Sequence, residues 1–179
     1  MTTPFSTVSK PNAIPLMLDS ALSTQVMAIG DVLRQKGWTA STAESCTGGG
    51  IAFAFTSVAG SSDWFNQSWV TYSNKAKTQE LSVNTETLEV HGAVSQQTVT
   101  EMALGVQKRC GANVVVTVSG IAGPGGGTDS KPVGTVWFGF ICGDDAFQVK
   151  QVFSGNRDEV RGEAVAFAIN YVLKVLSTS

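Results

Sequence analysis

Histidine is almost missing from this chain: His91 is the only one. A Ser-His-Asp triad would depend wholly on that residue, which precedes a glycine in an apparent turn and reads as a loop residue rather than a general base. Cysteine is scarce too. Cys46, Cys110 and Cys142 are odd in number and lack CxxC spacing, which argues against a disulfide framework and a zinc site and fits a reducing compartment. No apolar run approaches the roughly 20 residues needed to span a bilayer, and the opening "MTTPFSTVSKPNAIPLMLDS" has no signal-peptide core. A cytoplasmic protein without a membrane partner is expected. Charged residues make up 15% of the chain, against about 25% in average proteins. So little charge to cover a free surface predicts a homo-oligomer. The formal net charge of −2 offers no broad basic surface to a polyphosphate backbone, so nucleic acid is not an expected partner.

The chain's 179 residues suffice for one domain with a substantial core. Residues 1–18, with Pro4, Pro11 and Pro15, read as an irregular N-terminal arm, and 19–179 as a single domain. Leu22, Val26, Ile29 and Leu33 fall at helical spacing between a cap at Asp19 or Ser20 and a stop at Gly37. "WTAST" reads as a strand, "GGIAFAFTSVAG" as a buried helix, "WFNQSWVTYS" as β-rich, and "NKAKTQEL" as a helix capped by Asn74. A further helix starts at Ser95 and stops at Gly111, and "NVVVTVSG" follows as a strand buried on both faces. After the glycine-rich loop "IAGPGGGTDSKP", a hairpin turns across "GDD" and a closing helix begins at Arg157. This alternation predicts an α/β fold: a three-layer α/β/α sandwich whose sheet is mixed and mostly parallel.

Ligands of such sheets lie at the carboxyl ends of strands, and three unusual stretches follow strands: Glu44–Gly50, Tyr72–Lys77 and Ser119–Gly127. None matches GxGxxG, GxxxxGK[ST] or GxSxG, which removes Rossmann, P-loop and ordinary α/β-hydrolase readings. Ser45 stands just before a helix N-terminus, where the amides of Thr47, Gly48 and Gly49 could receive an oxyanion or a phosphate. Equally, Ser45 and Thr47 could be plain caps. Without a histidine, the base for Ser45 would be a desolvated lysine, and Lys77, one turn into its helix behind Tyr72, is the candidate. The bland alternative is a strand tyrosine and two solvated lysines. Cys46 should project away from Ser45 as a small hydrophobe. Ser119 and its glycine-rich loop can offer a hydroxyl and amides to a ligand. Arg157 opposes its own helix dipole, which suggests an anion nearby unless Asp158 and Glu159 offset it.

Together "TAESCTGGG", "AGSSDWFNQSWVTYSNKAK", "HGAVS", "SGIAGPGGG", "KPVGTVWFGF" and "FSGNRD" resemble the C-terminal domain of the CinA (competence/damage-inducible protein) family over about Asp19 to Leu176. The resemblance implies a cofactor-free, metal-free nicotinamide-nucleotide amidase. It would convert nicotinamide mononucleotide to nicotinic acid mononucleotide and ammonia in pyridine-nucleotide salvage, and family members are commonly oligomeric. It places the nucleophile at Ser45, with Tyr72 and Lys77 assisting, and matches Ser119 and Arg157; together with the reading of the loops, substrate contacts are expected at Thr47, Gly48, Gly49, Ser119, Gly120, Gly123 and Arg157. Lys75 falls at a variable position of that pattern. Many family members carry a further N-terminal domain that resembles molybdopterin-binding proteins, and the arm is not expected to replace it. The alternative is a nucleotide-binding regulatory module that uses the same pocket without turnover.

Overall fold

The computed structural model describes residues 18–178, so the proposed arm lies outside the described residues apart from Leu18. Helix α1 (Ser20–Lys36) is capped by Asp19, whose side chain accepts from the Leu22 amide, and ends at Gly37 in the left-handed conformation. Strand β1 (Ala40–Glu44), helix α2 (Gly50–Thr56) and strand β2 (Phe65–Val70) follow. Then come α3 (Asn74–Leu81), α4 (Thr85–His91) and α5 (Gln96–Cys110). Strands β3 (Val114–Gly120), β4 (Thr135–Cys142) and β5 (Asp145–Val152) and helix α6 (Arg157–Thr178) complete the chain.

The five strands form one sheet in the order β2-β1-β3-β4-β5. Strand β1 pairs in parallel with β2 and β3, whereas β4 runs antiparallel to both β3 and β5. The sheet is therefore mixed, with only β4 reversed. Alternation along the strands feeds two cores. Val114, Val116 and Val118 meet Ile29 and Leu33 of α1, Ile51 of α2 and Ala168 of α6 on one face. On the other, Ala43, Val115 and Ile141 meet Leu81 of α3, Leu88 of α4 and Met102 and Val106 of α5. The three-layer α/β/α sandwich follows directly, and the α3–α5 layer covers the face on which Ser45 will lie.

Two local expectations change. The cap of α3 is Ser73 rather than Asn74: the Ser73 hydroxyl accepts from the Ala76 amide at 3.0 Å, and Asn74 becomes the first helical residue. His91 is not in a loop but closes α4, a short helix capped by Asn84 that the apolar spacing did not signal.

Candidate active site

Beyond β1 the chain keeps the ladder for one more residue, as the Ser45 amide donates to the Val118 carbonyl at 3.0 Å. By strand alternation Ser45 shares the α3–α5 face with Ala43. From the neighbouring strand, β2 leads through Thr71 and Tyr72 into α3, whose first turn carries Lys77. Lys77 is only 1% exposed. Its Nζ lies 2.8 Å from the Thr71 carbonyl, 3.0 Å from Ser45 Oγ and 3.4 Å from the Tyr72 carbonyl. Loss of water around the ammonium lowers the Lys77 pKa from 10.5 to about 8, a drop that the nearby Cys46 thiol opposes. In the neutral amine, two N–H groups can donate to the two carbonyls, which leaves the lone pair for the Ser45 hydroxyl proton.

The adjacent thiol is unsuited to attack. Cys46 is buried in the α1–α2–α6 core, and desolvation pushes its pKa up to about 12, although its own amide and that of Thr47 pull the other way. At neutral pH it stays protonated and inert.

The front of α2 is occupied from within. Glu44, 0% exposed, points to the face opposite Ser45; its Oε2 accepts from the Thr47 hydroxyl (2.6 Å) and the Gly49 (3.1 Å) and Ile51 (3.0 Å) amides, and its Oε1 from the Ala52 amide (2.8 Å). No side chain at the cap residue itself does this work, because that residue is Gly49, at φ +96°. The carboxylate thus takes the place an external anion would have used. This corrects the expected roles of Gly48 and Gly49: the Gly49 amide belongs to Glu44, and the Gly48 amide donates to the Ser45 carbonyl at 3.0 Å. The Thr47 hydroxyl is likewise spent. Among the described residues, the Cys46 and Thr47 amides donate to no carbonyl. Arg161 grips the same loop from α6, with Nε donating to the Cys46 carbonyl and Nη2 to the Thr47 carbonyl, each at 3.1 Å.

A cavity of about 230 Å³ opens over Ser45, lined also by Tyr72, Lys77, Ser119, Gly120 and Arg157. Gly120 is required there, since a Cβ would lie 2.7 Å from Val136 Cγ2 and 3.1 Å from Cys46 Sγ. The Tyr72 hydroxyl makes no hydrogen bond to Ser45 or Lys77. Only the residue's carbonyl touches Lys77 and Ser45; its hydroxyl, on a side chain left 58% exposed, accepts from Arg157 Nη2 at 2.9 Å. Gly123 does not line the cavity, and its carbonyl instead orients Arg157 through an Nη1 hydrogen bond of 2.8 Å. Nor do Asp158 and Glu159 neutralise Arg157. Glu159 accepts from the Asn156 amide, and Asp158 lies 3.9 Å from Arg161. A larger groove of about 430 Å³ between α3 and α5 brings no nucleophile to a buried base.

The CinA C-terminal domain family model matches residues 22–176. The chain belongs to this family. It is 53% identical over 159 residues to nicotinamide-nucleotide amidohydrolase PncC of Enterobacter agglomerans, an alignment that spans 88% of this chain and 97% of that protein. It is 49% identical over 154 residues to the protein of the same name from Escherichia coli K12, covering 86% and 93% of the two chains. Among solved structures, the competence/damage-inducible protein CihA of Agrobacterium tumefaciens superposes with a TM-score of 0.86 at 40% identity, over 90% of this chain and 98% of that one.

Two residues of this CinA-family site were not singled out from the sequence: Glu44 and Arg161. An acid at the end of a strand and directly before a glycine-rich helix start is a readable sign of a cap supplied from outside the helix. Arg161 follows Arg157 by four residues and so shares its helix face. Among the described residues, no group of three or more His, Cys, Asp or Glu side chains is assembled to hold a metal, and no helix is long and apolar enough to cross a membrane.

Proposed function

We infer that this CinA-family domain is an amidohydrolase that converts nicotinamide mononucleotide to nicotinic acid mononucleotide and ammonia. The observation that carries the reading is the 3.0 Å contact between Ser45 Oγ and a buried lysine amine, in a cavity also lined by Arg157, which has no carboxylate partner among the described residues. The names of relatives sharing about half of its residues support the substrate.

The reaction runs as acyl transfer. Neutral Lys77 takes the Ser45 proton, and Oγ attacks the carboxamide carbon to give a tetrahedral oxyanion. The Cys46 and Thr47 amides, which donate to no carbonyl, are the donors this turn leaves for that charge. A trans peptide sets its N–H opposite its C=O, so Arg161, by holding the Cys46 carbonyl, aims the Thr47 N–H away from itself. Each well-placed donor contributes about 3 kcal/mol. Lys77 returns the proton to the amide nitrogen, ammonia leaves, and water activated by the same lysine cleaves the ester to the carboxylate. Arg157, fixed by Gly123 and Tyr72, flanks the phosphoribosyl group together with the loop after Ser119.

Ammonia release from nicotinamide mononucleotide, followed by a coupled assay in wild type and Ser45→Ala, tests this. Stoichiometric ammonia and product acid from the wild type, lost by at least about a thousandfold in the variant, is the expected result. A thermal shift with the mononucleotide but no ammonia would instead identify a nucleotide-binding module.

A further inference from the structure

Two of the sequence stretches, His91–Ser95 and Lys131–Phe140, supply no group to the chemistry, yet they meet beside it. Lys131 Nζ donates to the His91 carbonyl at 2.7 Å, and between the two stretches lies a cleft of about 320 Å³. Val94 lines both this cleft and the catalytic cavity, so the two adjoin.

The sheet explains their alignment. The Ser45 amide bond to Val118 sets Ser45 beside Ser119, Ser119 pairs with Trp137, and Trp137 pairs with Lys150. All four belong to the face covered by α5, because Thr117 bonds to the Val99 carbonyl of α5 and a Cβ on Gly139 would strike that same carbonyl. One row therefore runs from the nucleophile to a cation across three interstrand steps, about 14 Å in all. The flexible stem of Lys150 can reach back along it.

Charge and size both point to an anionic extension of the substrate. The chain has more carboxylates than Lys and Arg, 14 against 12. Yet Lys77, Arg157, Lys131 and Lys150 line the two neighbouring cavities, and no Asp or Glu does. Among the described residues, none of these four cations has a carboxylate within 4.0 Å. The catalytic cavity, about 230 Å³, falls short of the roughly 300–1,000 Å³ usual for ligand sites, so a ligand of ordinary size extends beyond it toward the neighbouring cleft. Gln96 and Gln97, at the front of the 15-residue α5, also line the cleft, and their amides have no acceptor within the helix. Arg157 already has two nitrogens engaged by Gly123 and Tyr72.

We propose that this cleft is the phosphate subsite: the 5′-phosphate of the mononucleotide rests between Lys131 and Lys150 at the front of α5, its ribose crosses Trp137, and its carboxamide lies at Ser45. The assignment rests on the amidohydrolase reading and makes the two lysines the residues that distinguish the phosphorylated substrate from its riboside.

The test compares kcat/KM for nicotinamide mononucleotide and nicotinamide riboside in wild type, Lys150→Gln, the Lys131→Gln/Lys150→Gln double variant and Arg157→Gln. The Lys150 side chain makes no hydrogen bond among the described residues, so its replacement leaves the fold alone. The mononucleotide-to-riboside ratio should fall about tenfold in Lys150→Gln and about a hundredfold in the double variant, as expected for charge-assisted phosphate contacts. Calorimetric titration with ribose 5-phosphate should show the matching loss of affinity. Equal losses for both substrates, or discrimination lost only in Arg157→Gln, would overturn the subsite. A wild type that binds ribose 5-phosphate through these lysines but releases no ammonia would overturn the amidase reading and leave the subsite standing.

Discussion

Lys77 must lose its own proton before it can accept one from Ser45, so its titration should govern the rate. Burial holds its pKa down from 10.5 to about 8. At pH 7 roughly one amine in ten is then neutral, against about one in three thousand for an ordinary lysine. The expected outcome is a kcat/KM that climbs about tenfold between about pH 7 and 9, with its inflection near the lysine value and a plateau above it. The same group works against the fold. Its folded pKa lies below its unfolded one, so the cost of burying the ammonium is present in full below about pH 8 and is relieved as pH rises toward 10.5. Lys77→Met should therefore keep or raise the thermal midpoint at pH 7 while lowering kcat by at least about a hundredfold. Initial rates of ammonia release across the pH range, with melting curves of both proteins at pH 7, measure the two effects. A flat profile, an inflection in the range of imidazole, or a Lys77→Met protein that retains activity would refute the lysine as base.

The remaining predictions concern the loop around Ser45. Cys46→Ala should retain activity within about threefold, since the thiol is too basic to react, and a trapped acyl group should appear by mass spectrometry on Ser45 alone. Glu44→Gln should cost about 3 kcal/mol in urea unfolding, because its amide N–H₂ would oppose either the Ala52 amide or the Gly49 and Ile51 amides. Arg161→Leu should lower kcat by about tenfold or more with little change in KM, as the Cys46–Thr47 peptide loses its aim. Light scattering at micromolar concentration should show more than one subunit, as so sparsely charged a chain leads one to expect.

Periodic features were legible in the residues. The α1 stripe, the fully buried β3 and the closing hairpin each follow from side-chain spacing, and together they define the layers. Ser45 and Lys77 could be named because each stands next to a cap or strand end, where the chain has little freedom to move them. Hydrogen-bond assignments were not legible in the same way. The Gly48 and Gly49 amides looked available only because nothing in a linear reading says that the carboxylate before them folds over the helix front. Tyr72 shows the same limit: its backbone and its side chain serve different neighbours, and spacing reports only that the residue is nearby.

That separation has a physical basis in the pleat of β1. Glu44 and Ser45 are consecutive, so alternation sends the carboxylate into the α2 layer and carries the hydroxyl to the α3 layer. A negative charge one residue from Ser45 would normally hold Lys77 protonated if it reached the amine. Here it is turned away and consumed by amides and a hydroxyl, and desolvation is left as the leading influence on Lys77. The strand thereby braces the helix behind the site with one side chain and presents a hydroxyl to the Lys77 amine with the next. Moving the acid by one position, as in an Ala43→Glu variant, would place a carboxylate on the lysine's own face and should raise the pH at which activity appears.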